Sequence, residues 1–216
     1  WKDKVDYMIK DKNLMNDACN KLSYTPYPLE HVNSDYTENS TSCVNESDYD
    51  TIDCIIELIG GVTIAKYIVF ESIKRGKHII TANKALISEY LIEIEELLIQ
   101  NPTVKFGFEA SVCGGIPIIQ LLKGGFLSDN IKQISGIMNG TTNYILSKME
   151  TDGCDYSEVL KEAQDLGYAE MNPSADIDGY DIRAKIAILS KLAFGTFISL
   201  DVIPTIGISK ITNDDF

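Results

Sequence analysis

Paired cysteines, histidines and basic charge are all scarce in this chain of 216 residues. The five cysteines (Cys19, Cys43, Cys54, Cys113 and Cys154) form no Cys-x-x-Cys pair, and their number is odd. That argues against a disulfide framework and suits reduced thiols. The two histidines, His31 and His78, have no partner motif and receive no catalytic role. Lys and Arg number 19 against 32 Asp and Glu, a formal net charge of −13. Without a basic face, neither a nucleic-acid phosphate backbone nor an anionic membrane surface is an expected partner. No apolar run reaches membrane-spanning length. No signal peptide is visible, and a cytoplasmic location is expected. Asn39-Ser-Thr41 and Asn45-Glu-Ser47 fit the glycosylation pattern, but such matches are cheap in an Asn/Ser-rich stretch. The Gly-x-Gly-x-x-Gly fingerprint of dinucleotide folds is also missing, which on its own argues against a nicotinamide enzyme.

What is present is globular in composition, 44% hydrophobic. Lys2 to Leu22 holds many helix formers with a weak apolar stripe. Residues 33–50 are nearly all polar and cannot bury enough apolar area to offset their ordering entropy, so a flexible insertion is expected there. Ile52 to Ile59 is an apolar run closed by Gly60-Gly61, the pattern of a buried parallel strand and a tight turn; Cys54 within it is expected in the core. Thr63 to Arg75 reads as a helix stopped at Gly76, Lys77 to Thr81 as a strand, Ile87 to Gln100 as a helix, and Val104 to Phe108 as a strand. Alternating strands and helices with short links predict part of a doubly wound, Rossmann-like α/β sheet.

After Glu109 the pattern changes. Gly114-Gly115-Ile116-Pro117 opens a helix through Leu122, and Ile131 to Met138 alternates like a strand. Thr142 to Met149, Tyr156 to Leu166 and Tyr180 to Phe194 read as helices; Asp155 or Ser157 could cap the second, and Gly167 ends it. Two domains are expected: 1–107, a partial dinucleotide-binding domain, and 108–216, an α+β substrate domain.

The chemistry concentrates between Gly167 and Leu189. Glu170, Asp176, Asp178 and Asp181 crowd a loop broken by Pro and Gly, and a helix follows. Asp181 and Lys185 are four apart and share a helix face. Carboxylates that could hold an ammonium group, beside a lysine that could move a proton, make a small-molecule catalytic constellation. A solvated surface pair has the same spacing. Lys84, straight after a strand, reads equally as an active-site or an exposed helix-start lysine. Glu109-Ala-Ser-Val-Cys-Gly-Gly-Ile-Pro117 suits either a hard-cation loop or a plain turn. Asn139-Gly-Thr-Thr-Asn143 can offer helix N–H groups to a carboxylate or be a helix cap formed by Thr141 or Thr142.

Three separated motifs, in order, decide among these readings. Thr81-Ala-Asn-Lys-Ala85, Gly136-Ile-Met-Asn-Gly-Thr-Thr-Asn-Tyr-Ile145 and the Gly167–Leu189 stretch closely resemble homoserine dehydrogenase, in its stand-alone bacterial form. The resemblance begins near Ile52 and runs to the last residue. It implies interconversion of L-homoserine and L-aspartate 4-semialdehyde with NADP or NAD, in threonine, methionine and isoleucine biosynthesis. It implies catalysis by Lys185, Lys84 and Asp181, with substrate bound by Glu170, Asp176, Asp181 and Thr141. Ile59, Gly60, Gly61 and Lys84 are the implied cofactor contacts. A monovalent cation, usually sodium, is implied at Glu109 and the carbonyls of Val112, Gly114 and Ile116. A homodimer or higher homo-oligomer is expected.

In this family the phosphate loop lies at the extreme N-terminus, upstream of the matched motifs. With the start at Trp1 and the end at Phe216, a fragment is expected that binds dinucleotide poorly. Two other functions share the pattern: a non-catalytic interaction or regulatory module that keeps the fold, and a dehydrogenase of another small aldehyde. Intact Glu170, Asp181, Lys185 and Lys84 argue against the first.

Overall fold

The computed structural model describes residues 52–216; the readings at Lys2–Leu22, residues 33–50, His31 and the two glycosylation patterns lie outside them. Three parallel strands stand side by side in the order β1 (Cys54–Glu57), β2 (His78–Thr81), β3 (Phe106–Gly107). Cys54 aligns with His78 and Glu57 with Thr81, so β1 and β2 end level at one carboxyl edge. Helix α1 (Thr63–Lys74) links β1 to β2, and α2 (Lys84–Gln100) links β2 to β3. This is the expected strand–helix alternation, with strands shorter than the apolar runs that announced them.

One face of the sheet is packed. Ile55 and Ile79 are buried with Ala65, Ile68, Val69 and Ile73 of α1 and Leu86 and Ile94 of α2. Full burial of each such large apolar side chain is worth about 1.5–3 kcal/mol. The strand period of two turns the alternate residues to the other side. Cys54, Ile56 and Ile80 are therefore exposed, which corrects the expectation of a core Cys54.

Helix α2 begins three residues earlier than its apolar period suggests. Asn83 caps it, its side chain accepting from Leu86 N at 3.1 Å, and this draws Lys84 into the first turn. Beyond β3 a 3-10 turn (Glu109–Ser111) leads to the short α3 (Ile118–Gln120) and a π turn (Leu121–Gly125). Residues 130–139 enter no helix or ladder among the described residues, although Ile131–Met138 alternates like a strand. Alternation supplies a face, but a strand also needs a neighbouring edge to complete its hydrogen bonds.

The remaining elements are helices: α4 (Gly140–Asp152), α5 (Tyr156–Asp165), α6 (Ser174–Ile177) and α7 (Tyr180–Phe194). A second core joins the two halves of the chain. Ile87 and Leu91 of α2 pack with Phe108, Val112, Ile119, Leu122 and with Ile188 and Leu189 of α7. Lys191 of α7 also meets Glu95 of α2 at 2.9 Å. A third core, under α4 and α5, holds Ile145, Met149, Val159, Ala163 and Ala169. Among the described residues no helix is long and apolar enough to cross a membrane.

Candidate active site

The packing of α2 against α7 brings their N-terminal turns together. Lys84 opens α2; Asp181 lies in the first turn of α7, and Lys185 one turn on. Lys84 Nζ stands 3.1 Å from Asp181 Oδ1, and Lys185 Nζ stands 2.6 Å from Oδ2. One buried carboxylate thus lies between two ammonium groups that are 101 residues apart in the chain. The side chains of Asp181 and Lys185 are 7% and 13% exposed, that of Lys84 40%. Lys185 is the inner partner and Lys84 the outer one.

Asp181 has a third partner. Asn139 donates through Nδ2 to Asp181 Oδ2 at 2.9 Å and to Asp176 Oδ1 at 2.6 Å. Its own Oδ1 accepts from Thr142 N at 2.8 Å and so caps α4. The cap is therefore Asn139, not Thr141 or Thr142. One amide ties the start of α4 to both carboxylates. The sequence does not single it out as a site residue; its position at a strand-like end, before Gly-Thr-Thr, was the available signal.

Burial pushes the Asp181 carboxyl up, but the hydrogen bonds from Lys185 and Asn139 and the charges of Lys185 and Lys84 outweigh it. The net result is a carboxyl held below its ordinary value. Its place in the first turn of a helix acts in the same direction.

Lys185 Nζ also donates to the carbonyl of Met138 at 2.6 Å. An ammonium group has three N–H donors. Two are engaged here, so one remains for a reacting atom.

None of the other expected residues bonds directly to Lys84, Asp181 or Lys185 among the described residues. Glu170 is exposed on the turn after α5, and its carboxylate has no hydrogen-bond or ion-pair partner among the described residues. Gln164 holds that turn by donating to the carbonyls of Glu170 at 3.1 Å and Met171 at 3.4 Å. Thr141 donates its hydroxyl to the Tyr168 carbonyl at 2.8 Å, so that proton is engaged by the protein itself. Asp178 lies at the end of α6 and Gly179 follows at φ +84°, where a Cβ would stand 2.8 Å from Thr205 Cγ2. Only glycine allows α7 to start there and aim Asp181 inward.

Gly60 and Gly61 follow β1 at φ +77° and +67°, with open space where a side chain would stand. Ile59 precedes them and is exposed. Glu109 accepts from Ile119 N and Gln120 N, each at 2.9 Å, and so anchors α3. Cys113 and Gly114 are both left-handed, at φ 59° and 60°, and turn the backbone sharply between Val112 and Ile116.

Asn139→Ala removes a helix cap and two donors to carboxylates. The expected cost is about 1–3 kcal/mol of stability, read as a lower denaturant midpoint. Asn139→Asp keeps the cap acceptor but faces Asp176 and Asp181 with a like charge. It is expected to be at least as unstable near neutral pH.

Comparison with known proteins agrees across sequence and fold. A family model described as homoserine dehydrogenase matches residues 117–216. Another, the homoserine dehydrogenase NAD-binding domain, matches residues 23–103, so the likeness starts upstream of Ile52. The chain is 49% identical over 164 residues to the homoserine dehydrogenase of Neisseria gonorrhoeae, covering 76% of this chain and 38% of that relative. A homoserine dehydrogenase structure from Thiobacillus denitrificans superposes with a TM-score of 0.75 at 45% identity, covering 78% of this chain and 39% of that one. A hyperthermophilic archaeal homoserine dehydrogenase in complex with NADPH gives a TM-score of 0.66 at 30% identity, covering 74% and 49%. The chain thus spans about two fifths of the length of the curated relatives it matches.

Proposed function

Because the chain belongs to the homoserine dehydrogenase family, we propose that its Lys84–Asp181–Lys185 constellation serves the interconversion of L-homoserine and L-aspartate 4-semialdehyde with NADP or NAD. The observation that carries this reading is the single buried carboxylate held between two lysines drawn from opposite halves of the chain. The division near residue 107, into a nucleotide part and a substrate part, belongs to the same reading. So do a cytoplasmic location and a homo-oligomeric state.

The carboxyl edge of the parallel sheet suits a nucleotide: open α/β folds bind ligands there, and the Gly60–Gly61 turn leaves open space beside its backbone. Ile59, Gly60, Gly61 and Lys84 would line the nicotinamide end. A nicotinamide nucleotide bound there supplies or accepts the hydride.

This chain's own residues handle the proton and the charge. The substrate oxygen is a hydroxyl in homoserine and a carbonyl in the semialdehyde, so it must lose or gain a proton as the carbon is oxidised or reduced. As an ammonium, Lys185 would give its remaining proton to that oxygen in the reducing direction. As a neutral amine, it would take the hydroxyl proton at the same position in the oxidising direction, its other two N–H groups staying on Asp181 and the Met138 carbonyl. Asp181 fixes that ammonium in orientation through Oδ2. Lys84, held by Oδ1, adds positive charge beside the developing alkoxide. Glu170 and Asp176 are the carboxylates for the substrate ammonium; Asp176 keeps one oxygen free of Asn139. The first N–H groups of α4, around Thr141, suit the substrate carboxylate, since the start of a helix leaves them without intrahelical partners.

Glu109 and the carbonyls of Val112, Gly114 and Ile116 would be the oxygen ligands on this loop, which turns sharply at Cys113 and Gly114. The Glu109 oxygens, which also accept from Ile119 N and Gln120 N, would share a cation through their remaining lone pairs. That chemistry fits a monovalent cation such as sodium, which would brace the loop.

The reading is tested by homoserine-dependent reduction of NADP or NAD by the full natural protein. Turnover is expected with at least one of them. A folded protein that binds the nucleotide but gives no turnover overturns the reading. Within it, Glu170→Ala is expected to raise KM for homoserine by about 10- to 100-fold with kcat little changed. This reflects loss of a charge-assisted contact of roughly 1.5–3 kcal/mol. Steady-state kinetics at varied homoserine would check it.

A further inference from the structure

Glu57 is a second buried carboxylate, outside the constellation above. It ends β1 and is 1% exposed. No lysine, arginine or histidine pairs with it among the described residues. Its partners are three neutral donors: Ile59 N at 2.9 Å, the Thr81 hydroxyl at 2.6 Å and Asn83 Nδ2 at 3.4 Å. A buried carboxylate without a counter-ion is costly, and an apolar residue could fill the same space. Its place in the sheet suggests what the carboxylate does there.

The three donors come from two separate strand ends. Ile59 belongs to the turn after β1, the turn of Gly60 and Gly61. Thr81 is the last residue of β2, and Asn83 lies in the connection after it. Asn83 then locks these together. Its Nδ2 donates to the Gly61 carbonyl at 2.7 Å, its N–H to Thr81 Oγ1 at 2.9 Å, and its Oδ1 caps α2. The next residue is Lys84.

We propose, on the reading given above, that Glu57 is a positioning residue: it binds the Gly60–Gly61 turn and the Asn83 cap into one unit and so sets Lys84 against Asp181. It touches neither substrate nor nucleotide. It acts through Asn83 on Lys84 and through Ile59 on the glycine turn. Its two oxygens accept from all three donors at once, whereas a glutamine side chain offers only one acceptor oxygen.

The test is a mutant cycle in the full natural protein. Glu57→Ala is expected to lower kcat on the order of 10- to 100-fold, the scale of a misplaced catalytic group, and to raise KM for the nucleotide. Glu57→Gln keeps one acceptor oxygen and is expected to recover part of both. Lys84→Ala alone is expected to lower kcat. In the Lys84→Ala background, Glu57→Ala is expected to change kcat by less than about twofold, while the nucleotide KM still rises.

If the two kcat losses multiply instead, Glu57 supports the fold generally and the proposal is overturned. Wild-type kcat and nucleotide KM in both Glu57 variants also overturn it. Unchanged kcat in Lys84→Ala overturns the assignment of Lys84 itself, and with it the proposal, and is recognised in that single variant. Should Glu57→Ala fail to fold, Glu57→Gln is carried through the same cycle with the same outcomes.

Discussion

Alanine at Lys185 is expected to lower kcat by about 100-fold or more in the full natural protein, the usual scale for a positioned acid–base group. Nucleotide affinity should persist, because Lys185 lies on α7, while the Gly60–Gly61 turn lies at the sheet edge. The variant should fold. Its ammonium bridges Asp181 and the Met138 carbonyl, but Asp181 keeps Lys84 and Asn139 as partners. Were Lys185 only a structural partner of Asp181, stability would fall and the rate of folded protein would stay. Single-turnover and steady-state kinetics with nucleotide titration separate these outcomes. A kcat near wild type would move the proton-transfer role to Lys84.

Asp181→Asn is expected to act on both stability and rate. It preserves shape but leaves two ammonium groups facing a neutral amide. Loss of one member of a buried ion pair costs about 3–5 kcal/mol. The lower end is expected here, since Lys84 is 40% exposed and solvent can support its charge. The rate should fall too, because Lys185 loses the group that orients it.

The same substitution carries a pH signature. The Asp181 carboxyl is held below its ordinary value in the folded state, after burial is outweighed by its lysine and Asn139 partners. A depressed folded value contributes stability above the unfolded value of about 4, and loses it as pH falls through the folded value. Wild-type stability should therefore decline on acidification below about pH 4. The Asp181→Asn protein should show a shallower decline. Denaturant midpoints across that range would read the difference.

Much of the nucleotide half was legible because parallel strands buried on one or both faces leave apolar runs, and helices leave a period. The Ile52–Ile59 run and Gly60-Gly61 gave β1 and its turn. The exposed side of Cys54 was not legible, since an apolar run does not say whether both faces are covered. Residues 130–139 show the converse: alternation without a partner ladder leaves the backbone outside any sheet.

In the candidate site, spacing alone placed Asp181 and Lys185 on one helix face. It could not place Lys84 there. That contact depends on α2 and α7 meeting through Ile87, Leu91, Ile188 and Leu189, a tertiary fact that the motif resemblance implied but no local pattern encodes. Asn139 and Glu57 were missed for a related reason. An amide after an alternating run, or a carboxylate at a strand end, is ordinary in sequence, and its role emerges only when carboxylates or donors from other elements converge on it.

The central claim is that Lys185 moves a proton at the substrate oxygen. Chemical rescue tests it most directly. The Lys185→Ala protein, folded and binding nucleotide, would be assayed for homoserine oxidation with added small primary amines such as methylamine. The expected result is a kcat that rises with amine concentration and saturates, with no such rise in the wild type. A folded, nucleotide-binding Lys185→Ala protein whose kcat ignores every small amine would contradict the claim.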